Sequence, residues 1–538
     1  MSIRRRIENA WLRIQREWRI YNLNRQVIKH SPNNVGQRPV AMFNASTRLS
    51  DFSQNAAFAL LSSWSLQLAG VPVVHFACQA GMSRCVLGTN RKDSSEPPPC
   101  KSCIALSKKL LVSAPVHWFE YQRNDNLAKA LEGLNISQLA AFEYALPDSD
   151  DKIPLGQLTL SGLRWALRLH HLKDDSPTRF LFREYIQSAY RVAVEFQHFL
   201  DQVDPALVIV FNGIMFPEAT ARWIAKQRGL RVITHEVGFQ PFSAFFTDQQ
   251  ATAYPIQIPE NFELSPEQNA QLDAHLSRRL KGEFTMAGIR FWPEINGLDE
   301  SFLARAADFS QIVPVFTNVV FDTSQVHANT LFPHMFAWLD QTLDLIRLHP
   351  ETLFVIRAHP DEKRVSKVSQ ESVSNWVLRN KVTELPNVIF VDAHEPLSSY
   401  DLIQRSKFVM VYNSSIGLEG TLLDTPVLCG GRARYTQYDT VFIPDSAENY
   451  YQTAEHFLRA DEIELHPDHK INARKFLYYQ FFRVSLSFDE FLEAHPSPGF
   501  VQLKSVSWQD FLQKNSTVTQ VLVNGILGDD SFMLPDGE

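Results

Sequence analysis

The chain has 538 residues, of which 45% are hydrophobic and 21% charged, and its formal net charge at pH 7 is −7. This length predicts two domains of ordinary size, and the composition is that of a globular protein. The acidic balance excludes a general nucleic-acid binder, so we expect no nucleic-acid partner. The N-terminus lacks an apolar segment followed by a small-residue cleavage site, which indicates a cytoplasmic protein.

The first predicted element, residues 1–36, is a basic amphipathic helix that ends near Ser31-Pro32-Asn33-Asn34. Its first thirty residues hold eight Lys or Arg and two Glu. A basic helix with Trp on its apolar face suits adsorption to an anionic membrane surface, and the same pattern equally suits packing on its own domain or on a partner subunit. The apolar side chains recur every three or four residues and so share one helical face: Ile3, Ile7, Trp11, Ile14, Trp18 and Tyr21.

From Pro39 onward, short apolar strands alternate with amphipathic helices, which predicts parallel sheets with helices on their faces. The first unit is predicted to span residues 37–295, with clear helices at Phe180–Val203 and Pro217–Arg228. We interpret the irregular segment 122–178 as an insertion that shapes an acceptor site. The predicted strands of this unit are Val40–Asn44, Val71–Ala77, Val116–Tyr121, Ala206–Phe211 and Arg231–His235.

A second unit is predicted at residues 296–480, followed by a C-terminal helix and tail at 481–538. Helical character at Asn472–Glu493 predicts a helix that returns to brace the first unit, and the end from Gly528 is predicted to be mobile. Two successive doubly wound units place a cleft between the carboxyl edges of their sheets, where open α/β folds bind ligands. The predicted strands of the second unit are Ile312–Phe316, Leu353–Arg357, Val388–Val391, Phe408–Val411 and Pro426–Cys429.

The cysteines carry a spacing signal, because four of the five follow the pattern C-x6-C-x14-C-x2-C at Cys78, Cys85, Cys100 and Cys103. A CxxC that follows a Pro-rich loop and faces an earlier cysteine pair predicts a tetrahedral four-thiolate metal site. We expect structural zinc, with an iron–sulfur cluster as the alternative, since thiolates serve both. The expected location disfavours disulfides, and free buried thiols explain Cys429 better than they explain this cluster.

The stretch Val409–Tyr435 is predicted to form a strand, a small-polar loop, a short helix and a second strand. Ser414 and Ser415 stand where that helix begins, so backbone N–H groups and the helix dipole favour a phosphate there. Glu419 lies one turn further along, within reach of a ribose hydroxyl. The pattern predicts a pocket for a nucleotide-sugar donor.

Polar residues also follow two other strands of the second unit. His359 lies just past the strand Leu353–Arg357, where it can hydrogen-bond a donor phosphate or assist the departing diphosphate. The alternative is a histidine that caps a loop. Arg357 precedes it by two residues and joins the candidate donor site. Asn318 and Asp322 could bind donor or acceptor or form turns, and for Asp322 the turn is favoured.

These motifs resemble the C-terminal half of GT-B glycosyltransferases, and most closely bacterial capsule and surface-polysaccharide biosynthesis proteins, including Kdo-transferase-like ones. The motifs cover about Ile312–Tyr438, and the rest of the chain resembles the family only in its overall architecture. The resemblance implies a GT-B-like α/β fold of two Rossmann-like, doubly wound domains that face each other across a cleft. It also implies that the donor phosphate is contacted by Ser414, Ser415 and His359, and the sugar or ribose by Glu419. The glycine of the family's G-x-P-V segment is Asp424 here.

An inverting GT-B enzyme needs a base that deprotonates the acceptor hydroxyl, usually a carboxylate or histidine on the side of the N-terminal domain. Glu236 and His235 end a predicted strand there, and we favour Glu236. The alternative is a glutamate that is merely solvated or ion-paired. Gly213 and Gly238 would let the backbone approach a ligand closely.

The sequence therefore predicts a peripheral-membrane glycosyltransferase that moves a sugar from a nucleotide-sugar donor to a glycan or lipid-linked acceptor in surface-polysaccharide assembly. The resemblance implies that protein groups hold the donor, so no catalytic metal is expected. One alternative is a nucleotide-sugar epimerase or hydrolase of the same fold. Another alternative is a non-catalytic assembly protein that a bound metal stabilises.

Overall fold

The computed structural model describes residues 3–32, 36–45, 52–147, 151–280, 285–286, 289–290, 297–364, 368–497 and 499–536. The side chains of residues 3–10, 12 and 279–290 are outside this description. Ile3 and Ile7 of the predicted apolar face, and Asn33-Asn34 at its predicted end, therefore lie outside the described side chains.

The predicted N-terminal helix is present as α1 (Ile3–His30), and it packs on the first unit through a face that the sequence did not indicate. Ile20, Leu23 and Val27 are buried in the core of that unit. The helix therefore has two apolar faces, one buried and one open to solvent. Among the described helices, none is long and apolar enough to span a membrane. The described part of the predicted face is more than half exposed at Trp11, Ile14, Trp18 and Tyr21.

The first unit contains all five predicted strands, each a nearly continuous apolar run, as expected where parallel strands are covered on both faces. Its strands are β1 (Val40–Asn44), β2 (Val73–Cys78), β3 (Val116–Phe119), β4 (Tyr144–Ala145), β5 (Lys152–Ile153), β6 (Leu207–Phe211), β7 (Arg231–Val237) and β8 (Ser243–Thr247). The sheet runs in the order β8-β7-β6-β1-β2-β3, while β4 and β5 form a separate hairpin. The sequence analysis missed β8, which pairs antiparallel with β7.

The helices of this unit are α2 (Gln54–Leu68), α3 (Cys100–Leu110), α4 (Asp125–Ala130), α5 (Ile136–Ala140), α6 (Leu155–Leu167), α7 (Ser176–Val203) and α8 (Glu218–Gln227), and α9 (Pro266–Leu280) follows and packs beside residues of the second unit. Helix α7 begins before the predicted Phe180 because Asp175 caps it, its side chain accepting the N–H of Thr178. The segment 122–178, predicted to be irregular, contains α4, α5, α6 and the hairpin of β4 and β5. The C-cap residue of α6, Arg168, is in the left-handed region at φ 60.

The second unit is a parallel sheet in the order β13-β12-β11-β14-β15, preceded by the hairpin of β9 (Thr285–Met286) and β10 (Ile289–Arg290). Its strands are β11 (Gln311–Phe316), β12 (Thr352–Arg357), β13 (Val388–Val391), β14 (Val409–Val411) and β15 (Val427–Cys429). The ends of these strands agree with the predicted ends to within one residue. Its helices are α10 (Glu300–Ala306), α11 (Gln325–Ala328), α12 (Met335–Leu348), α13 (Val373–Arg379), α14 (Ser399–Gln404), α15 (Ile416–Leu422) and α16 (Ala447–Arg459).

The C-terminal part of the chain returns to the first unit. Helix α17 (Pro467–Tyr478) continues as a π-helical turn, and β16 (Leu486–Ser487) then pairs antiparallel with β8. The predicted helix Asn472–Glu493 is therefore too long, because its last part is extended and joins the first sheet. A hairpin of β17 (Leu492–Ala494) and β18 (Val501–Leu503) and helix α18 (Thr517–Leu527) follow. The prediction of a mobile end is wrong up to residue 536, since Phe532 is 7% exposed and packs into the core of the first unit.

Candidate functional site

The second sheet has a crevice at the point where its strand order reverses, between β11 and β14. The loop after β11 carries Asn318, and the loop after β14 carries Ser414 and Ser415. The two loops touch, because Asn413 N donates to Asn318 Oδ1 at 3.3 Å, and Gln325 Nε2 donates to Asn413 Oδ1 at 3.2 Å. The structure thus brings three predicted donor residues together where doubly wound sheets bind ligands.

The predicted serines stand at the start of α15. Ser414 is 8% exposed, and its carbonyl oxygen accepts the hydroxyl of Tyr435 at 2.7 Å. Ser415 occupies the N-cap position, yet its side chain makes no capping hydrogen bond. The two hydroxyls are therefore possible donors at the edge of the crevice, whereas the N–H groups of Gly417 and Leu418 already donate to the carbonyl oxygens of Ser414 and Ser415, each at 3.1 Å.

Glu419 lies further along the same helix and is also nearly buried. Its Oε2 accepts the hydroxyl of Tyr400, which lies on α14, at 2.8 Å. This partner was not predicted from the sequence. The hydrogen bond orients the carboxylate at the edge of the crevice.

Arg357 ends β12, the strand beside β11. The side chain is 8% exposed, and among the described residues its Nη1 has no hydrogen-bond partner. Burial lowers the pKa of Arg357 to about 10, against the opposing effect of Glu395. A buried N–H group without a partner is costly, so an anion bound at this edge of the sheet would stabilise the guanidinium.

His359 follows on the same loop and caps it, as the alternative interpretation predicted. Its Nδ1 accepts the N–H of Asp361 at 3.1 Å, at the start of the 3₁₀ turn Pro360–Lys363. A neutral ring that accepts through Nδ1 carries its proton on Nε2, which is then a donor. Capping and phosphate contact use different nitrogen atoms, so the structure is compatible with both.

The first unit places the two candidate bases differently. Glu236 Oε2 accepts Asn212 Nδ2 at 2.8 Å, and Oε1 accepts the N–H of Val237 at 2.9 Å. His235 is 1% exposed, and aromatic rings lie beside it, with centroids 5.7 Å away for Phe211 and 5.2 Å for Phe246. Neighbouring residues of a strand point to opposite faces, so the two side chains do not act on one ligand together.

At Gly213 and Gly238, where the backbone was predicted to approach a ligand closely, other protein atoms occupy the space. A Cβ added at Gly238 would lie 2.3 Å from Ser243 Oγ, and one added at Gly213, where φ is +77, would lie 2.8 Å from Arg222 Cδ. Tight packing of the chain on itself is therefore sufficient to explain both glycines.

Glu236 lies near the boundary between the two units. Tyr254 lies between the units, and burial, followed by the charge of Glu236, raises its pKa well above the usual value, while Arg434 opposes the shift. A cavity of about 30 Å³ opens nearby between α6, the loop after β6 and the loop after β11. Asp322 of the second unit and Met215 of the first both line it. The carboxyl edges of the two sheets thus share one cleft.

Two cations of the cleft were not predicted from the sequence. Arg168 is 2% exposed and places its guanidinium carbon 4.0 Å from the ring centroid of Trp165 and 4.6 Å from that of Phe321, which joins the two units. Arg222 is half-buried, its Nε has no partner among the described residues, and its charge contributes to lowering the pKa of His327 in the second unit. Neither arginine belongs to a sequence motif, so only the tertiary structure identifies them.

Three histidines, His170, His171 and His334, also meet between the units. His171 Nδ1 contacts Glu371 Oε1 at 2.5 Å, and its Nε2 lies 3.2 Å from His334 Nε2. His334 Nδ1 accepts the N–H of Ala337, so in the neutral ring its Nε2 carries the proton and donates to His171. This proton arrangement indicates a hydrogen bond that links the two units rather than a metal site.

The structure brings the four predicted cysteines together. Cys78 ends β2, Cys85 lies in the following loop, and Cys100 and Cys103 begin α3; none of them is in a disulfide. The four line a cavity of about 20 Å³ whose other walls are apolar, including Met82. Gly81 N donates to Cys78 Sγ at 3.1 Å.

The arrangement defines a protein of two Rossmann-like units with a shared cleft, as predicted. Residues 298–439 match the model of the family described as "Capsule polysaccharide biosynthesis protein". This segment contains the crevice loops and confirms the resemblance that their motifs indicated. The search of curated proteins found no match.

Several solved structures are similar at low identity. The Thermosulfurimonas dismutans KpsC beta Kdo 2,4 transferase is 14% identical, with 52% of this chain and 80% of that chain covered and a TM-score of 0.34. The KpsC beta Kdo 2,7 transferase of the same organism is 14% identical, with 55% and 83% covered and a TM-score of 0.31. The Neisseria meningitidis UDP-GlcNAc 2-epimerase bound to UDP-GlcNAc is 12% identical, with 82% and 99% covered and a TM-score of 0.23. All three TM-scores are below 0.5.

The loop of His359 yields a pH-dependent prediction through Glu362, which is 1% exposed and accepts the N–H of Val373 at 3.2 Å with each oxygen. Burial raises the pKa of Glu362 to about 8. Between the unfolded and folded pKa values the native state binds the extra proton, so stability falls as pH rises from about 5 to 8. We expect Glu362→Gln to remove this penalty, gaining up to about 1.4 kcal/mol of unfolding free energy per pH unit relative to wild type.

Denaturant unfolding of both proteins at several pH values in this range measures the difference. Glu384→Gln, at an exposed glutamate of the same unit, is the matched control and should show no such trend. A difference between Glu362→Gln and wild type that stays constant with pH would contradict the prediction.

Proposed function

We propose that this protein is a GT-B-type glycosyltransferase that moves a sugar from a nucleotide-sugar donor to a glycan or lipid-linked acceptor in surface-polysaccharide assembly. The observation that carries the proposal is the crevice between β11 and β14. There Asn318 and the Ser414–Ser415 loop meet, beside the buried guanidinium of Arg357, whose Nη1 has no hydrogen-bond partner in the part of the chain that the structure describes. The match of residues 298–439 to the capsule family supports the same assignment.

In the proposed site the donor diphosphate lies at the carboxyl edge of the second sheet. The hydroxyls of Ser414 and Ser415 donate to its oxygens, and Arg357 offsets its charge. His359 donates through Nε2 to the departing phosphate, which stabilises the charge that develops there. Glu419, oriented by the hydroxyl of Tyr400, accepts a hydroxyl of the ribose or of the sugar.

The acceptor enters from the side of the first unit. Glu236 is the proposed base, because its carboxylate is held by Asn212 and its charge acts on Tyr254 between the two units. His235 is the weaker candidate, since its ring is buried between aromatic side chains. In this scheme protein groups hold the donor, and we expect transfer to continue in the presence of EDTA.

The donor site is tested by Arg357→Met. We expect this variant without ligand to be as stable as wild type or more stable, because an apolar side chain replaces a buried, incompletely bonded cation. The affinity for the donor should fall about 10- to 100-fold, since one charge-assisted interaction of about 1.5–3 kcal/mol is lost. Thermal shifts with CMP-, UDP-, GDP- and dTDP-sugars measure both quantities.

Glu419→Gln should also reduce the donor-dependent shift, and Arg405→Met, at an exposed arginine of the same unit, should leave it unchanged. If no nucleotide-sugar shifts the wild-type protein, the proposed donor site is wrong. A large loss of stability in ligand-free Arg357→Met would assign this arginine a structural role instead.

The base is tested by Glu236→Gln. This variant should keep the donor-dependent thermal shift and lose at least about 100-fold in turnover, the usual range for removal of a general base. Release of nucleotide from the donor that binds best, with and without a pool of glycan acceptors, measures turnover. Conversion of the donor to an epimer without any acceptor would instead support the epimerase alternative, and the absence of turnover with every acceptor would support the non-catalytic one.

The exposed face of α1 supports a peripheral location on an anionic membrane surface, on the cytoplasmic side. Trp11, Ile14 and Trp18 are 60%, 64% and 64% exposed, and the same helix carries exposed basic residues such as Arg25 and Lys29. Interfacial Trp and Ile with neighbouring cations suit insertion among anionic headgroups. The buried face of α1 would keep the catalytic cleft at a constant distance from a lipid-linked acceptor.

Vesicle sedimentation tests this location. We expect binding to vesicles that contain phosphatidylglycerol and at least about tenfold weaker binding by the double variant Trp11→Ser, Trp18→Ser, because two large apolar side chains no longer insert. The matched control is Leu348→Ser, Leu378→Ser, which replaces two side chains of the second unit that are 62% and 72% exposed. Equal binding by wild type and the Trp variant would exclude the helix as the membrane contact, and a dimer that only the Trp variant disrupts would assign the face to a second copy.

A further inference from the structure

The loop between β2 and α3 is unusual in this fold. Residues 79–99 form no helix or strand, although ordered loops longer than about 12–15 residues are uncommon in compact domains. The loop is nevertheless held against the helices behind it. Thr89 Oγ1 lies 2.8 Å from Tyr185 OH, and Arg91 Nε donates to the carbonyl of Ala166 at 2.8 Å. A group that ties both ends of the loop together would explain this order.

The four cysteines occupy the positions that such a group requires. Cys78 precedes the loop, Cys85 lies within it, and Cys100 and Cys103 follow it. Gly88 closes the inner turn, since a Cβ added there would lie 2.9 Å from Cys85 Sγ. The N–H groups of Gly81 and Gly88 are directed at the sulfur atoms of Cys78 and Cys85. Hydrogen bonds from backbone N–H groups to thiolate sulfur are a recognised means of tuning metal–thiolate centres.

The spacing of the sulfur atoms distinguishes a single ion from a cluster. Four thiolates bound to one zinc at about 2.3 Å form a tetrahedron with edges of about 3.8 Å. Among the described residues, two groups of three or more side chains bring their ligand atoms within 4.8 Å of one another, and neither group contains a cysteine. No three of the four sulfur atoms therefore lie within 4.8 Å of one another, whereas a single zinc ion requires all four to be that close.

The cavity between the cysteines agrees with this spacing. Its volume is about 20 Å³, whereas one water needs about 10–15 Å³ by the same kind of measure. Four sulfur atoms in contact with one zinc leave no such space between them. The apolar walls, which include Ala45, Leu87 and Ile104, keep water from most of the site, as suits a cluster that water would degrade.

We propose that Cys78, Cys85, Cys100 and Cys103 hold a [4Fe–4S] cluster that clamps residues 79–99 onto the first unit. Each thiolate binds a different iron, so the sulfur atoms are separated by the body of the cluster. The alternative is the zinc site that the cysteine spacing in the sequence predicted, and the test distinguishes the two. Through Arg91 and the end of α6, the clamp also supports Arg168, which contacts Phe321 across the cleft.

The test is purification of the whole chain without oxygen, followed by analysis of iron, acid-labile sulfide and zinc. We expect about four iron and four sulfide per chain, the content of one [4Fe–4S] cluster, with a broad visible absorption that dithionite bleaches and an electron paramagnetic resonance signal in the reduced protein. Cys85→Ser should lose the iron, the sulfide and the absorption. Cys429→Ser, at a buried cysteine of the second unit, is the matched control and should retain them.

One zinc per chain without sulfide would overturn the proposal, and so would a folded chain that holds neither metal after reconstitution with iron and sulfide. If Cys85→Ser does not fold, the metal and sulfide content of wild type and Cys429→Ser decides between these outcomes. The clamp has its own readout, because oxidative removal of the cluster should accelerate trypsin cleavage at Arg91 and Lys92, both exposed in the loop, at least about tenfold. Unchanged cleavage would show that the cluster does not clamp the loop.

Discussion

The parallel arrangement of the second sheet is the constraint on which the candidate site depends. Parallel strands need crossover helices that cover both faces of the sheet, so a ligand can approach only the loops at the edges. Where the strand order reverses, the loops after β11 and β14 separate. The hydrogen bond from Asn413 N to Asn318 Oδ1 sets the distance between the two loops. The serines, the arginine that ends β12 and the glutamate of α15 all take their positions from this one crevice.

Charge is the second organising factor. The chain as a whole is acidic, yet Arg357, Arg168 and Arg222 are drawn into the cleft, where burial lowers the pKa of each of them. Buried cations are costly, and aromatic rings stabilise Arg168. The cleft thus concentrates cations within an acidic protein, which supports the proposed binding of a diphosphate-containing donor.

The first unit supports the cleft by attaching irregular segments to its sheet. The inner face of α1 is buried in the core, and β16 brings the C-terminal part of the chain back to the same sheet. The cysteine loop is fixed between β2 and α3 in the same manner. These attachments stabilise the side of the cleft that carries Glu236, while the outer face of α1 is left for contacts outside the chain.

The sequence alone determined the strands and their order of appearance, because strands that are buried on both faces must be continuous apolar runs. It also singled out Ser414, His359 and the four cysteines as candidates, since these residues stand in local motifs or at regular spacings. It missed β8, Arg222, Gln325 and the tie between Glu419 and Tyr400, because these depend on contacts that local patterns do not encode. Only the tertiary structure decided which face of α1 is buried and how far apart the cysteine sulfur atoms stand, because spacing along a chain sets which residues can meet and packing sets the distance at which they do.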